Sequence, residues 1–338
     1  MAFKGNRFPQ KGVPWIMSLK KVPCLDIRAF TQGSALDRKE FVKEFGKGLK
    51  EFGFVIVEGH GIPPDLIRAS YEKVKIFFEL PADKKLQYTP AGGAGQRGYT
   101  GFGKEHAKNS NKGDLKEFWH VGREHYANPQ MQSIYPQNVW PDTAVAGFKD
   151  NLLALYTRLE GFAGTLLEAT SLYLGLDSYL LPNMITDGNS ILRALHYPPL
   201  ASEHFKSGAV RAAAHEDINF ITILCEATDS GLELLTREGK WLSVESGPGQ
   251  MVVDSGDMLS RISNNVIPST THRVVNPPNA KNTPRYSMPF FVHPYSTCEL
   301  NILPTCVSAT CPPQYPPILA DEFLRQRLRE IGLTATDK

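Results

Sequence analysis

The sequence predicts a mainly β protein with flanking helices, its core a double-sheet jelly roll. Three observations lead there. From Ile191 onward the chain breaks into short apolar runs separated by Gly, Pro, Asn and Asp, the texture of a sandwich or barrel. Helical periodicity is confined to the segments before residue 190 and after residue 319. Finally, two histidines, one carboxylate and an Arg-x-Ser pair fall inside the β-rich part, at spacings that a rolled sheet could bring together.

Taken in order, residues 1–20 carry charge but no apolar h-region, so they read as a loose N-terminal arm and not a signal peptide. Val22–Ile27 is a short apolar run ending in an acid, an edge strand. A helix starts at Asp37, with Phe41, Val42, Phe45 and Leu49 spaced three and four apart. Gly53-Phe-Val-Ile-Val is a buried strand, broken by Gly59-His60-Gly61, where His60 reads as a turn residue. Pro64 and Asp65 open a second helix, with Leu66, Ile67, Val74, Phe77 and Phe78 on its apolar face and Pro81 at its end.

Residues 89–114 form a long polar, Gly-rich loop, and long loops in compact domains are usually functional or disordered. Leu115–Val121 returns as a strand. Asp142 or its neighbours start a long helix through about residue 175, striped by Phe148, Leu152, Leu155, Leu159, Phe162, Leu166 and Leu167, with Gly175 as its stop. The strands then expected are Leu192–Tyr197, Ala212–Leu224, Leu232–Leu235, Trp241–Val244, Met251–Val253, Ser269–Val275 and Tyr286–Val292, with Asp257 in a turn. A charged helix at Leu319–Ile331 closes the chain. The expected organisation is an arm at 1–20, an N-terminal helical and β region at 21–130, helical support at 131–190, the jelly-roll core at 191–300 and a C-terminal extension with its helix at 301–338.

Composition bounds the function. With 41% hydrophobic and 21% charged residues the chain is of ordinary globular type, and its formal charge of +2 gives no argument for nucleic acid or an anionic membrane. No run approaches the 18 apolar residues of a membrane span. Five cysteines, none in a Cys-x-x-Cys pair, are expected to be reduced thiols, although the spacing of Cys306 and Cys311 would permit a disulfide or half a metal site. The expected compartment is the cytoplasm.

On a strand, residues two apart share a face, so His215 and Asp217 point the same way, as do Arg285 and Ser287. His272 lies fifty-five residues beyond Asp217, and Arg285 thirteen beyond His272, on an expected neighbouring strand. Two histidines and one carboxylate on one side of a metal leave its other positions open, the facial triad of non-haem Fe(II) oxygenases. The pair His215-x-Asp217 alone would be weak; the third ligand and the Arg-x-Ser strengthen it. A guanidinium matches a carboxylate bidentately, and one buried without an acid would be costly unless a ligand supplied it. A zinc hydrolase could use the same three ligands.

The chain also resembles a known family, the isopenicillin N synthase-like branch of the Fe(II)/2-oxoglutarate-dependent oxygenases. The resemblance rests on Val22-Pro-Cys-Leu-Asp-Ile, Gly53–Ile62, Leu192–Pro199, Gly239-Lys-Trp, Val252–Leu259, Ser269–Pro277 and Arg285-x-Ser287, and covers most of the chain. It implies a distorted double-stranded β-helix, with His215, Asp217 and His272 as iron ligands. Arg285 and Ser287 would hold the distal carboxylate of 2-oxoglutarate, helped by Tyr197, although the family's Asn in its Asn-x-Tyr pattern is Leu195 here. The implied cofactors are Fe(II), 2-oxoglutarate as cosubstrate and O2, with ascorbate as an accompanying reductant, and the implied partner is a small-molecule substrate. Related enzymes draw substrate contacts from the region holding Arg97, Tyr99, Phe102 and Phe118. Halogenating relatives lack a carboxylate at the Asp217 position, so halogenation is not expected.

Three alternatives stand beside this reading. Synthases and oxidases of the fold keep Arg-x-Ser without using 2-oxoglutarate, ethylene- and succinate-forming enzymes consume it, and a non-catalytic binding protein could retain the scaffold. His196 and Tyr197 alternate faces, so at most one of them lines the site. His120, His125 and His293 have no partner at ligand spacing.

Overall fold

Two sheets carry the molecule, and the computed structural model describes them through residues 21–90, 95–104, 116–199, 210–226, 231–276 and 282–330. The expected arm at 1–20 lies outside these residues, as do 91–94 and 105–114 of the polar loop. In chain order the strands are β1 (Cys24–Asp26), β2 (Phe54–Glu58), β3 (Gly98–Thr100), β4 (Glu117–Gly122), β5 (Ile191–Tyr197) and β6 (Val210–His215). There follow β7 (Ile221–Cys225), β8 (Leu232–Leu235), β9 (Trp241–Ser243), β10 (Gln250–Ser255), β11 (His272–Val275) and β12 (Arg285–Val292). Among the described residues, eight form a large sheet in the order β1-β2-β10-β7-β12-β5-β4-β3, and four form a small sheet in the order β6-β11-β8-β9. The expected jelly-roll class is the observed one, and four strands of its large sheet come from before residue 130.

Strand alternation divides the large sheet into two faces. Val55, Val57, Trp119, Val121, Leu192, Ala194, Ile223, Met251, Met288 and Phe290 join one extended core with the helices. Those helices include α1 (Arg28–Thr31), α2 (Ala35–Phe52), α3 (Pro64–Phe78), α4 (Ala82–Leu86), α5 (Pro129–Gln132), α6 (Phe148–Tyr173) and α7 (Leu180–Ile185). On α6 the stripe Phe148, Leu152, Leu155, Leu159, Leu166 and Leu167 is fully buried, each such side chain contributing roughly 1.5–3 kcal/mol relative to exposure. The opposite, inner face meets the small sheet, where Phe54, Ile56 and Val252 pack with Leu234 and Val244.

Several boundaries differ from the sequence reading. Helix α2 begins at Ala35, because Ser34 caps it: its hydroxyl accepts from the Asp37 N–H while the Asp37 carboxylate accepts from the Ser34 N–H. Helix α6 starts at Phe148 and not at Asp142, since a turn at Pro141–Val145 and the left-handed Gly147 (φ 73) precede it. Its stop is as expected: Gly175, at φ 72, donates to the Leu172 carbonyl while Leu176 donates to that of Ser171. Asp257 is not a turn residue but the first residue of a short helix, α8 (Asp257–Ile262), and pairs with Arg327 at 3.1 Å on α9 (Ala320–Glu330). The largest difference is at Ala212–Leu224, expected as one strand. It splits into β6 and β7, which belong to different sheets. All five cysteines are free.

A buried polar knot fastens β4 to the helix side. Glu117 accepts from Lys85 (2.9 and 2.7 Å) and Tyr99 (2.5 Å) and meets His196 Nδ1 at 2.8 Å. Burial pushes the Glu117 carboxyl up, but the hydrogen bonds from His196, Lys85 and Tyr99 outweigh it and hold the pKa below its ordinary value. A lowered carboxyl pKa stabilises the fold above the unfolded value, about 4.3, and that contribution is lost as pH falls through the folded value. Glu117→Gln is expected to cost about 3–5 kcal/mol, the scale for breaking a buried pair. Melting temperatures between pH 7 and 3 check this, and the variant should fall less steeply with acid than the wild type.

Candidate metal centre and active site

The inner face of the large sheet and the edge of the small one form the site. His215 ends β6 and His272 begins β11, and the two are direct cross-strand partners with ring centroids 4.4 Å apart. Asp217 does not continue β6, as strand alternation had predicted. It sits in the crossing between β6 and β7, where its carbonyl accepts from the Asp257 N–H at 2.7 Å and the Gly256 N–H bonds the Phe220 carbonyl at 3.0 Å. That corner returns the carboxylate to the histidines: Asp217 Oδ1 lies 3.7 Å from His215 Nε2 and 3.9 Å from His272 Nε2. One ligand atom from each of the three residues lies within 4.8 Å of the others.

The surroundings prepare these atoms for a cation. Each histidine holds Nδ1 against a backbone carbonyl, Ala213 at 2.7 Å and Thr270 at 3.2 Å, which fixes the proton there and leaves Nε2 as the free lone pair. Phe54 meets His272 edge-on at 5.6 Å. Desolvation and the nearby His272 hold the His215 pKa below its ordinary value. Because 42% of the His215 side chain meets solvent, the second cause carries more weight. Burial and the charge of Asp217 push the carboxyl of Asp254, on the inner face, well above its ordinary value. The donor set of two imidazoles and a carboxylate, open on one side, fits Fe(II).

Thr222, missed in the sequence reading, donates its hydroxyl to Asp217 Oδ2 and accepts from Asn219 Nδ2 at 2.9 Å. Thr222→Val is therefore expected to weaken metal binding and turnover by about 10–100-fold, the range for outer partners of metal ligands, with the fold unchanged by circular dichroism. Unchanged iron affinity would show that Asp217 is positioned without it.

Arg285 and Ser287 share the inner face of β12, not of a strand neighbouring β11 as expected; their strand lies in the opposite sheet. Arg285 is 2% exposed, donates from Nη1 to the Ser287 hydroxyl at 3.3 Å, and its Nε has no partner among the described residues. Its register partner on β5 is Tyr197, whose ring centroid lies 5.4 Å from the guanidinium. His196, on the other face, joins the Glu117 knot.

The four expected substrate residues separate. Phe118 packs with Leu195 and Tyr197 on the inner face. Arg97 lies against Gly122 at the end of β4, so close that a Cβ there would fall 2.0 Å from Cζ. Tyr99 faces away, tied to Glu117 among Phe77 and Trp119. Phe102 is exposed to solvent after β3. The structure adds Arg193, whose guanidinium lies over Phe118 (4.4 Å) and Phe291 (5.1 Å) and hydrogen-bonds His120. Counting by twos from Arg285 would have found Phe291. His60 is a turn residue, its Nδ1 accepting from the Ile62 N–H at 3.1 Å.

A jelly roll with a His-Asp-His cluster and a buried Arg-x-Ser defines a non-haem iron oxygenase, and the comparisons agree. Residues 22–143 match the N-terminal family of the non-haem dioxygenase in morphine synthesis, and residues 188–294 match the 2OG-Fe(II) oxygenase superfamily. A 2OG-Fe(II) oxygenase family protein from Caulobacter crescentus is 43% identical, covering 91% of this chain and 98% of that one with a TM-score of 0.81. A full-length Neurospora crassa protein solved with alpha-KG is 30% identical, covering 91% and 96%, at a TM-score of 0.82. The 2-oxoglutarate-Fe(II) type oxidoreductase of Emericella nidulans is 28% identical over 90% of this chain and 88% of its own length. The chain belongs to the Fe(II)/2-oxoglutarate-dependent oxygenase superfamily and is an oxidoreductase that couples 2-oxoglutarate decarboxylation to substrate oxidation. Among the described residues no helix is long and apolar enough to cross a membrane.

Proposed function

We propose that His215, Asp217 and His272 ligate the iron, that Arg285 and Ser287 take the distal carboxylate of 2-oxoglutarate beside Tyr197, and that the inner face around Phe118 and Phe291 receives a small organic substrate. The observation that carries this is the orphaned Nε of the buried Arg285, on the inner face that meets the His-Asp-His cluster. When bound, iron and 2-oxoglutarate supply the oxidising power, O2 and 2-oxoglutarate giving succinate, CO2 and an oxidised substrate C–H bond.

The chain's own residues do the rest. The carbonyls of Ala213 and Thr270 keep both Nε2 atoms unprotonated for the metal. Thr222 fixes the rotation of the Asp217 carboxylate. Leu195 and Phe118 exclude water beside Arg285, strengthening a charge pair formed there. Arg97 and Phe118 are the substrate contacts retained from the expected set. The Neurospora crassa protein was also solved with thymine, in keeping with a small-molecule substrate here. Five free thiols suit a reducing, cytoplasmic compartment. The test is stoichiometry: with Fe(II), 2-oxoglutarate and a library of small substrates, succinate should appear in equal amount to oxidised product. Product without succinate would remove 2-oxoglutarate from the reading.

A further inference from the structure

Two arginines lie on or against the inner face of the large sheet with Nε unpartnered among the described residues: Arg285 and Arg97. They stand at opposite ends of that face. Arg285 opens β12 opposite Tyr197, whereas Arg97 lies over Gly122, which pairs with Ile191 at the other end of β5. Phe291, near the far end of β12, pairs with the same Ile191. His293 follows it by two residues and continues the alternation that began at Arg285.

The surroundings of Arg97 supply hydrogen bonds but no countercharge. Nη1 donates to the Gln96 carbonyl at 2.7 Å and Nη2 to Asn189 Oδ1 at 3.0 Å. Burial acts on it most strongly, followed by the tyrosines Tyr156, Tyr126 and Tyr135. Among the described residues no carboxylate lies within ion-pair distance of this fully buried guanidinium. Arg97 bonds Asn189, and His293 donates its backbone N–H to the hydroxyl of the next residue, Ser190, at 3.2 Å; His293 is 7% exposed and its Nδ1 has no partner among the described residues. Burial pushes its pKa down to about 4, and both Asp217 and Arg97 are near enough to act on its charge. It is therefore a neutral imidazole at pH 7, able to donate one hydrogen bond.

We propose that Arg97 and His293 form a second carboxylate-binding subsite, at the end of the inner face opposite Arg285, and that the substrate is a carboxylic acid anchored there. This rests on the reading of the metal site given above and deepens it. A neutral carbonyl would satisfy the orphaned N–H groups, but only an anion also compensates a buried guanidinium. Arg193, held between Phe118 and Phe291, lines the ground between the two arginines. The acid would thus lie across an aromatic floor, its carboxylate in the Arg97 end and its reacting carbon towards the histidines.

The experiment is calorimetric titration under argon of protein saturated with Fe(II) and 2-oxoglutarate, so that Arg285 is already occupied. The probes are three carboxylate–amide pairs of rising size: propanoate, phenylacetate and naphthylacetate, each against its primary amide. For the pairs that fit, the acid is expected to bind about tenfold or more tightly than the amide. Arg97→Gln should abolish that preference and leave 2-oxoglutarate affinity within about twofold of wild type. His293→Leu, which keeps the guanidinium, should lower the acid-to-amide ratio at least about threefold. Equal binding of acid and amide, no acid binding across the panel, or a ratio unchanged in both variants would overturn the proposal. Failure of the wild-type protein to bind 2-oxoglutarate would strike the metal-site reading instead.

Discussion

His215→Ala is expected to abolish succinate formation and iron retention together. In the proposed site the residue supplies one of the three ligand atoms found among the described residues; its Nε2 lies 3.7 Å from Asp217 Oδ1, and its ring centroid is 4.4 Å from that of His272. Changes to outer partners of metal ligands already cost about 10–100-fold, so removing a ligand should exceed the upper end of that range. The fold should survive, because 42% of the His215 side chain is exposed and its truncation leaves no deep cavity. Iron content after dialysis, succinate formation and the melting temperature of the metal-free protein separate the two effects. Undiminished turnover would sink the assignment of the metal site. A large fall in metal-free stability would instead make His215 a packing residue. Asp217→Ala should behave alike in metal binding, with an added stability loss, since Asp217 is buried and bonded to Thr222.

Why the triad was legible and its geometry was not follows from where each residue sits. The residue types and the Arg-x-Ser spacing are local, and β12 keeps them on one face by simple alternation. The same alternation applied to Ala212–Leu224 fails, because the apolar run contains a corner at Glu216–Phe220 that is held from outside by Asp257 and Gly256. Those contacts are tertiary, and no propensity in the segment announces them. Sheet membership was illegible for the same reason. Arg285 follows His272 closely in sequence yet lies in the other sheet. Tyr99 was misplaced because a loop residue has no phase until its partner is known; pairing with Trp119 turns it to the helix side. The helices read best, since α3 and α6 advertise their buried stripe every three or four residues. The start of α3 at Pro64 is as expected, whereas those of α2 and α6 moved, where a cap or a left-handed glycine decided the first turn.

Arg285→Gln is expected to weaken 2-oxoglutarate binding by at least about 30-fold while leaving iron binding intact. The guanidinium is 2% exposed, and its Nε is unpartnered among the described residues. A carboxylate arriving there forms a desolvated, charge-assisted pair, and truncating one member of such a pair costs about 2–5 kcal/mol. Gln can still donate a hydrogen bond but brings no charge and no fork. Arg285→Lys should recover part of the loss by restoring the charge without the bidentate geometry. The measurement is anaerobic titration of the Fe(II)-loaded proteins with 2-oxoglutarate, following the weak visible metal-to-ligand charge-transfer band of a chelated 2-oxo acid. The band is expected in all three proteins, with its midpoint shifted to higher concentration in the order wild type, Lys, Gln. An unshifted midpoint in Arg285→Gln would mean that the distal carboxylate is held elsewhere. Arg285 would then be left waiting for a carboxylate of the substrate, and because iron binding serves as the internal control, that result could not be blamed on a broken metal site.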